Sequence, residues 1–253
     1  MRHPFFASLS SGRPLVFAHR GGAALAPENT LAAFDNGLAL GADGIELDVH
    51  LSRDGSVVVH HDRTLDRTTR LSGPVASRTA DELARADVPT LTAVLARYQD
   101  ARIIVEMKAN DAELAAAVVA DVKVARAVDR VCLGSFGQRV LRAARQIEPA
   151  IATSAAREEV RWALYRSWCR WPVSRVAYAG YQVPECAGRT RIVSPRFIEL
   201  AHRAGLKVQV WSVNGEADAR RLLDWGVDAL ITDRPDLVVP IVNAQGPELK
   251  AKP

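Results

Sequence analysis

Two histidines, two carboxylates and an arginine stand at the ends of short apolar runs in this sequence. They are His19 and Arg20 in Ala18-His19-Arg20-Gly21-Gly22, Glu46 and Asp48 in Gly44-Ile45-Glu46-Leu47-Asp48-Val49, and His61 after Val58-Val59-His60. Such a set suits metal-assisted chemistry on a phosphate, and folding alone would not ask for it. Along a strand the side chains alternate, so Glu46 and Asp48 share one face while Ile45, Leu47 and Val49 take the other. Two like charges side by side in an apolar strand cost stability unless a proton or a cation compensates them. An all-oxygen donor set suits a hard divalent ion, Mg²⁺ or Ca²⁺, better than zinc. Glu106 ends another apolar run, Arg102-Ile103-Ile104-Val105-Glu106-Met107-Lys108, and Lys108 shares its face. A site of three carboxylates with a neighbouring cation is therefore expected.

Taken singly, each of these residues has a plainer explanation. A Glu-x-Asp pair in a strand is more often a solvated face than a metal site, and His61-Asp62 alone would pass for a turn. His50 and His60 read as structural or exposed. Joint occurrence is what favours chemistry. In order, His19-Arg20-Gly21, Pro27-Glu28-Asn29-Thr30 with Ala33-Phe34, Glu46-x-Asp48, Asp54-Gly55 and Val58-Val59-x-His61-Asp62 with Leu65 and Arg67-Thr68-Thr69 resemble the glycerophosphodiester phosphodiesterase family. The resemblance continues through Val105-Glu106-Met107-Lys108, Ser135-Phe136, Val210-Trp211-Ser212-Val213-Asn214 and Gly226-Val227-Asp228 to Ile231-Thr232-Asp233-Arg234-Pro235, so it spans roughly residues 15 to 240.

That resemblance implies an α/β fold, a (β/α)₈ TIM barrel, with Glu46, Asp48 and Glu106 as ligands of one divalent cation. It also implies His19 and His61 as acid and base, with Arg20 and Lys108 on the phosphate. His19 is taken as the base and His61 as the acid. The implied reaction releases an alcohol and glycerol 3-phosphate from a small glycerophosphodiester. Three alternatives stand beside it: lysophospholipase D type hydrolysis of lysophospholipids at a membrane surface, formation of a cyclic phosphate, and a catalytically silent phosphodiester-binding barrel.

The elements that would position these residues are legible in the pattern of the chain. With 253 residues, 48% of them hydrophobic, the sequence can bury one large core, and no linker divides it, so one domain over 1–253 is expected. Strand-like runs fall near 15–18, 44–51, 102–107, 130–134, 149–153, 176–183, 207–213 and 228–232. Helical patterns separate most of them: Leu31–Leu40, Ala112–Ala125, Gln138–Ile147, Pro195–Ala204 and Ala217–Trp225. Alternation of this kind predicts a parallel sheet. Residues 52–100 exceed one crossover and are expected to hold a small insertion after the second strand, entered by an Asp54-Gly55 hairpin turn into Ser56–His60. Barrel active sites gather at the C-terminal strand ends, where His19, Glu46, Asp48, Glu106, Lys108, Trp211 and Asp233 would meet. Pro27–Thr30 reads mainly as scaffold with a helix cap at Asn29 or Thr30, Asn214 as another cap, and Asp233 as an anchor of the last turn. Trp211 is expected to face the glycerol carbons or a head group, a quaternary ammonium included, or to fill the barrel core.

Residues 157–175 are idiosyncratic. Trp162, Tyr165, Trp168 and Cys169 fall on one helical face among Arg157, Arg161, Arg166, Arg170 and Arg175. The favoured expectation is an amphipathic barrel helix packing its aromatics on the sheet. Peripheral membrane contact, or a groove for an acyl chain, is the other reading. The net charge of +4 is too diffuse for nucleic acid. Cys132, Cys169 and Cys186 show neither metal spacing nor a disulfide framework. Met1–Pro14 lacks a signal-like apolar run and no segment reaches transmembrane length, so a cytoplasmic location is expected. Gly246–Pro253 reads as a frayed tail.

Overall fold

The computed structural model describes residues 3–6, 13–173 and 176–244. Arg175, Gly246–Pro253 and most of Met1–Pro14 lie outside the described residues. In chain order the elements are β1 (Leu15–His19), α1 (Leu31–Ala39), β2 (Gly44–Leu51), β3 (Val57–Val59), α2 (Ala80–Ala84), α3 (Leu91–Arg97), β4 (Arg102–Met107), α4 (Ala112–Val124), β5 (Val131–Gly134), α5 (Gln138–Ile147), β6 (Ala152–Thr153) and α6 (Arg157–Cys169). They continue as β7 (Gly180–Pro184), β8 (Cys186–Ala187), β9 (Thr190–Arg191), α7 (Pro195–Arg203), β10 (Lys207–Trp211), α8 (Glu216–Trp225), β11 (Ala229–Thr232) and α9 (Pro235–Ala244).

Eight parallel strands run in the order β6-β5-β4-β2-β1-β11-β10-β7. A bridge from Ser154 to Gly180, with hydrogen bonds from Ala155 N to Gly180 O and from Ala179 N to Thr153 O, both 2.9 Å, joins the two ends. The expected (β/α)₈ barrel is therefore observed, nearly closed. The short run at 149–153 contributes only two strand residues, and these two hydrogen bonds do the joining that a longer strand would do.

Alternation sorts the side chains. Odd positions of β1 face inward, and Leu15 and Phe17 meet Ile104, Cys132, Ala152, Ala229 and Ile231 in the barrel interior. Phe5 closes the N-terminal end, its ring stacked 5.8 Å from that of Phe17. The opposite set, Ile45, Leu47, Val49, Ile103 and Val105, packs against the helices. Continuing the inward series along the strands leads to His19, Glu46, Asp48 and Glu106.

The stretch 52–100 holds the expected insertion. Gly55 takes a φ of +76° in the turn that folds β3 antiparallel onto β2, with Val49 opposite Val59, and glycine enters that left-handed region without steric cost. Beneath it, Val58, Leu65, Val75, Leu83 and Val88 make a small core of their own. Among the strands, the β8–β9 hairpin has no counterpart in the expected series; it follows β7 and pairs Cys186 with Arg191. The expected strand at 176–183 is shifted accordingly, to Gly180–Pro184.

Candidate active site

The register of the sheet assembles the carboxylates. Asp48 lies directly opposite Glu106, and His19 opposite Glu46. Both pairs point to the C-terminal end of the barrel, where they line one cavity with Arg20, His61 and Lys108. Gly134, opposite Glu106 on β5, leaves room for it: a Cβ there would stand 2.7 Å from Glu106 Oε2.

The two histidines are held by different devices. His19 Nδ1 lies 2.6 Å from Asp233 Oδ1, and Asp233 in turn accepts from Asn214 Nδ2 at 2.7 Å. Asn214 thus orients the carboxylate instead of capping a helix; Gly215 precedes α8 in the cap position. His61 Nδ1 lies 2.6 Å from Asp62 Oδ1, and Arg67 Nε donates to the other oxygen of Asp62 at 2.6 Å. In each case the Nδ1 bond fixes the ring and leaves Nε2 as the atom free to exchange a proton. His50 and His60 are structural, as expected. His50 Nε2 meets the His61 carbonyl, and His60 bridges the Asp62 carbonyl and Thr68.

Pro27–Thr30 does more than scaffold. Thr30 caps α1 by accepting from Ala33 N. Asn29, held at a φ of +59°, donates from Nδ2 to Asp48 Oδ2 at 2.9 Å and accepts from Asp48 N at 3.3 Å. Glu28 accepts from Arg20 at 3.0 Å and, through both oxygens, from Arg67 at 2.7 and 2.9 Å. Arg67 therefore links the arm holding Arg20 to the arm holding His61. The pattern Pro27-Glu28-Asn29-Thr30 carried this only as a motif, because which residue of a loop turns back to the sheet is decided by the left-handed conformations of Arg20 (φ +51°) and Asn29.

The carboxylates carry the electrostatic cost of the site. Burial, with Asp48 beside it, pushes Glu46 from its ordinary 4.5 to about 7. Burial raises Glu106 to about 8, with Asp48 and Glu46 adding to the rise and Lys108 opposing it. Burial lowers both histidines. At His19, Glu46 and Asp233 outweigh it and the pKa stands above 6.5. At His61, burial outweighs Asp48 and Asp62, and the pKa stands below 6.5. Asp48 takes most of the counter-charge: Lys108 Nζ at 3.2 Å and Arg20 Nε at 3.3 Å.

Among the described residues no group of three or more His, Cys, Asp or Glu closes into a metal-binding geometry. The donors nevertheless fit a hard cation. Arg20 Nε, buried without a hydrogen-bond partner, is in contrast a donor left for an anion such as a phosphate oxygen. Three oxygen-only side chains share one wall, and burial, with the neighbouring carboxylates adding to it, makes two of them hold their protons well above the ordinary 4.5.

Beyond the charged residues the cavity, of about 860 Å³, continues along Phe136 and Trp211 to α6 and the β8–β9 hairpin. Phe136 and Trp211 meet edge to face at 6.0 Å. The expected packing of the α6 aromatics on the sheet is not observed. Val160, Ala163, Leu164 and Ser167 form the buried face, whereas Trp162, Tyr165 and Trp168 are 64%, 45% and 53% exposed. Val160, Ala163 and Leu164 instead join the core cluster that holds Tyr181 and Val183 of β7.

A sequence profile of the Glycerophosphoryl diester phosphodiesterase family matches residues 19–237. The chain is 30% identical over 252 residues to a glycerophosphodiester phosphodiesterase of Caldanaerobacter subterraneus subsp. tengcongensis, covering 92% of this chain and 100% of that one. Among solved structures, a putative glycerophosphoryl diester phosphodiesterase of Silicibacter pomeroyi superposes with a TM-score of 0.78 at 26% identity, covering 95% and 96% of the two chains. An Oleispira antarctica phosphodiesterase in complex with the product sn-glycerol-3-phosphate gives 0.75 at 28% identity, over 91% and 97%.

Proposed function

This chain belongs to the glycerophosphoryl diester phosphodiesterase family, and from that premise we propose that it hydrolyses glycerophosphodiesters to an alcohol and glycerol 3-phosphate with the help of a divalent cation and two histidines. It is a phosphoric diester hydrolase. The product held by the Oleispira relative supports glycerol 3-phosphate as the product here. The observation that carries the reading is the convergence of His19, His61, Arg20 and Lys108 with three carboxylates on one cavity.

Glu46, Asp48 and Glu106 would hold the cation, Mg²⁺ or Ca²⁺. When bound it supplies positive charge for the phosphate oxygens and lowers the cost of ionising its ligands. Arg20 and Lys108 lie against Asp48 and would turn toward the non-bridging oxygens, stabilising the charge that grows on them in the transition state. One histidine Nε2 takes the proton of the nucleophile and the other gives one to the departing alkoxide. His19 is assigned as the base and His61 as the acid, each ring anchored at Nδ1 by a carboxylate. Trp211, beside Phe136 on the cavity wall, would pack on the glycerol carbons or on the head group.

The test is hydrolysis of glycerophosphocholine by the purified protein, stripped of metal and then given Mg²⁺ or Ca²⁺. Full activity in His19→Ala or Glu46→Ala would sink the assignment. A second reading concerns location. Among the described residues no helix is long and apolar enough to cross a membrane, but Trp162 and Trp171 stand 64% and 66% exposed beside the exposed Arg161 and Arg170. Aromatic rings mixed with basic side chains favour a lipid surface. Liposome sedimentation at low and high salt checks it, and absence of binding at both removes it.

A further inference from the structure

We propose that Arg157 and Arg161 form a second anion subsite on the cavity wall, so that the preferred substrates are glycerophosphodiesters whose alcohol carries a further negative charge, a phosphate or a carboxylate. The inference rests on the reading of the catalytic end given above. Both arginines belong to α6 and line the same cavity as His19, Arg20 and Lys108. Four positions apart in the chain, they are neighbours on one face of the helix.

This part of the wall is basic without compensation. Beyond the charged residues already described, the lining among the described residues includes these two arginines and no carboxylate. Neither arginine forms an ion pair among the described residues, whereas the exposed Arg67, Arg97, Arg203 and Arg220 each hold a carboxylate. The acids nearest in sequence are placed elsewhere. Glu159 is held by both arms of Arg145 at 2.9 and 3.1 Å and accepts from Ala156 N at 2.7 Å. Glu158 does not line the cavity.

The same wall disfavours a cationic head group. The Arg157 guanidinium lies 5.1 Å from the centre of the Phe136 ring, so a cation already occupies the aromatic partner that a quaternary ammonium would use. Guanidinium groups instead bind phosphate and carboxylate through paired N–H donors. The source of that anion follows from the rest of the substrate. Its glycerol is uncharged, and the phosphate being cleaved belongs to Arg20 and Lys108, so the second anion comes from the alcohol.

The experiment measures kcat/KM of the full chain, with its cation in excess, on two pairs of substrates that differ by one anionic group. One pair is glycerophosphoinositol and glycerophosphoinositol 4-phosphate; the other is glycerophosphoethanolamine and glycerophosphoserine. Glycerophosphocholine is run beside them. In each pair the more anionic member is expected to be favoured by about tenfold, mainly through KM, and by more in low salt than in high. The double variant Arg157→Gln/Arg161→Gln is expected to bring both ratios to within about twofold of one. Each ratio is taken within one protein, so loss of folded material does not move it. A gain in only one pair that collapses in the double variant still supports the subsite and shows whether it takes phosphate or carboxylate. Ratios near one in the parent, or ratios that survive the double variant, would overturn the subsite and leave the proposed activity standing. Preference for glycerophosphocholine over all four would overturn it in favour of a pocket for cationic head groups. Turnover of none of them would overturn the proposed activity and the subsite with it.

Discussion

The two ends of this one cavity are built on opposite principles. At the charged end the polar arms are held in pairs: His19 by Asp233, His61 by Asp62, Arg20 by Glu28 and Asp48 by Asn29, with Arg67 joining Glu28 to Asp62. At the apolar end the rings of Tyr165 and Trp168, 5.4 Å apart, are 45% and 53% exposed. The difference follows from the forces involved. Electrostatic stabilisation of a transition state depends on charges fixed in advance at the right distance, whereas apolar recognition is non-directional and scales with area. A residue lost from the charged end should therefore cost rate steeply. One lost from the apolar end should cost only what its area contributed.

The largest effects belong to the groups that would move protons or hold the cation. His19→Ala and His61→Ala are expected to lower kcat by about 10²–10⁴-fold, measured on glycerophosphocholine with saturating metal. Glu106→Gln sharpens the contrast because its two effects run in opposite directions. Activity should fall about as far, while the metal-free protein gains thermal stability at pH 8, since a buried carboxylate at that pH is ionised against the cost already visible in its raised pKa. A Glu106→Gln protein that is active, or that melts lower than the parent at that pH, would break the account of this end. Asp233→Ala comes next, with an expected loss of roughly 100-fold. Losing Asp233 removes one of the two supports that hold the His19 pKa up, so the arm of the pH–rate profile due to that histidine should move to lower pH.

A smaller effect is expected in stability alone. Glu46 and Glu106 have native pKa values of about 7 and 8 against an ordinary 4.5. Between those limits the native state binds more protons than the unfolded one, so stability is complete below about pH 4.5 and is lost as pH rises through 7 and 8. His19, also raised, acts in the same direction, and His61, lowered, acts weakly against it. The metal-free protein should lose roughly 5 °C or more in Tm between pH 5 and 8. Addition of Mg²⁺ or Ca²⁺ should flatten that slope. A metal-free Tm that rises over this interval would mean that the carboxylates are not carrying the charge deficit assigned to them.

How far each end was legible in the sequence follows from the same contrast. Strand alternation is a rigid rule, so Glu46 and Asp48 fall on one face as soon as their run reads as a strand, and Glu106 joins them because parallel register sets it opposite Asp48. The barrel was legible for the same reason, from strands and helices that alternate. Positioning residues were harder. Asp233, Asn214, Glu28 and Asn29 sit in loops, where alternation gives no direction, and all four act through a contact with a residue more than fifteen positions away. Asp62 bonds His61 directly, which adjacency in a segment that alone would pass for a turn does not announce. The apolar end was misread because a run such as Trp162, Tyr165, Trp168 suggests a buried face by hydrophobicity. The residues that turn inward are the smaller Ala163, Leu164 and Ser167.

The smallest expected effect probes the outer edge of the apolar end. Trp162 and Trp171 stand 64% and 66% exposed, and neither lines the cavity. If the aromatic display of α6 serves recognition and not the core, replacing each by Ser should change stability by no more than about 0.5 kcal/mol. Turnover of glycerophosphocholine should stay within about twofold, because no arm of the charged end passes through either residue. Trp162 makes an edge contact with Tyr165 at 6.1 Å, so its removal should be felt slightly more than that of Trp171. Thermal melts of the two variants beside Leu164→Ala, whose side chain is buried on the inner face and should cost about 2–5 kcal/mol, give the scale. A Trp162→Ser protein that melts as low as Leu164→Ala would place the rings in the hydrophobic core after all. The two ends of the cavity would then differ in chemistry but not in what holds them in place.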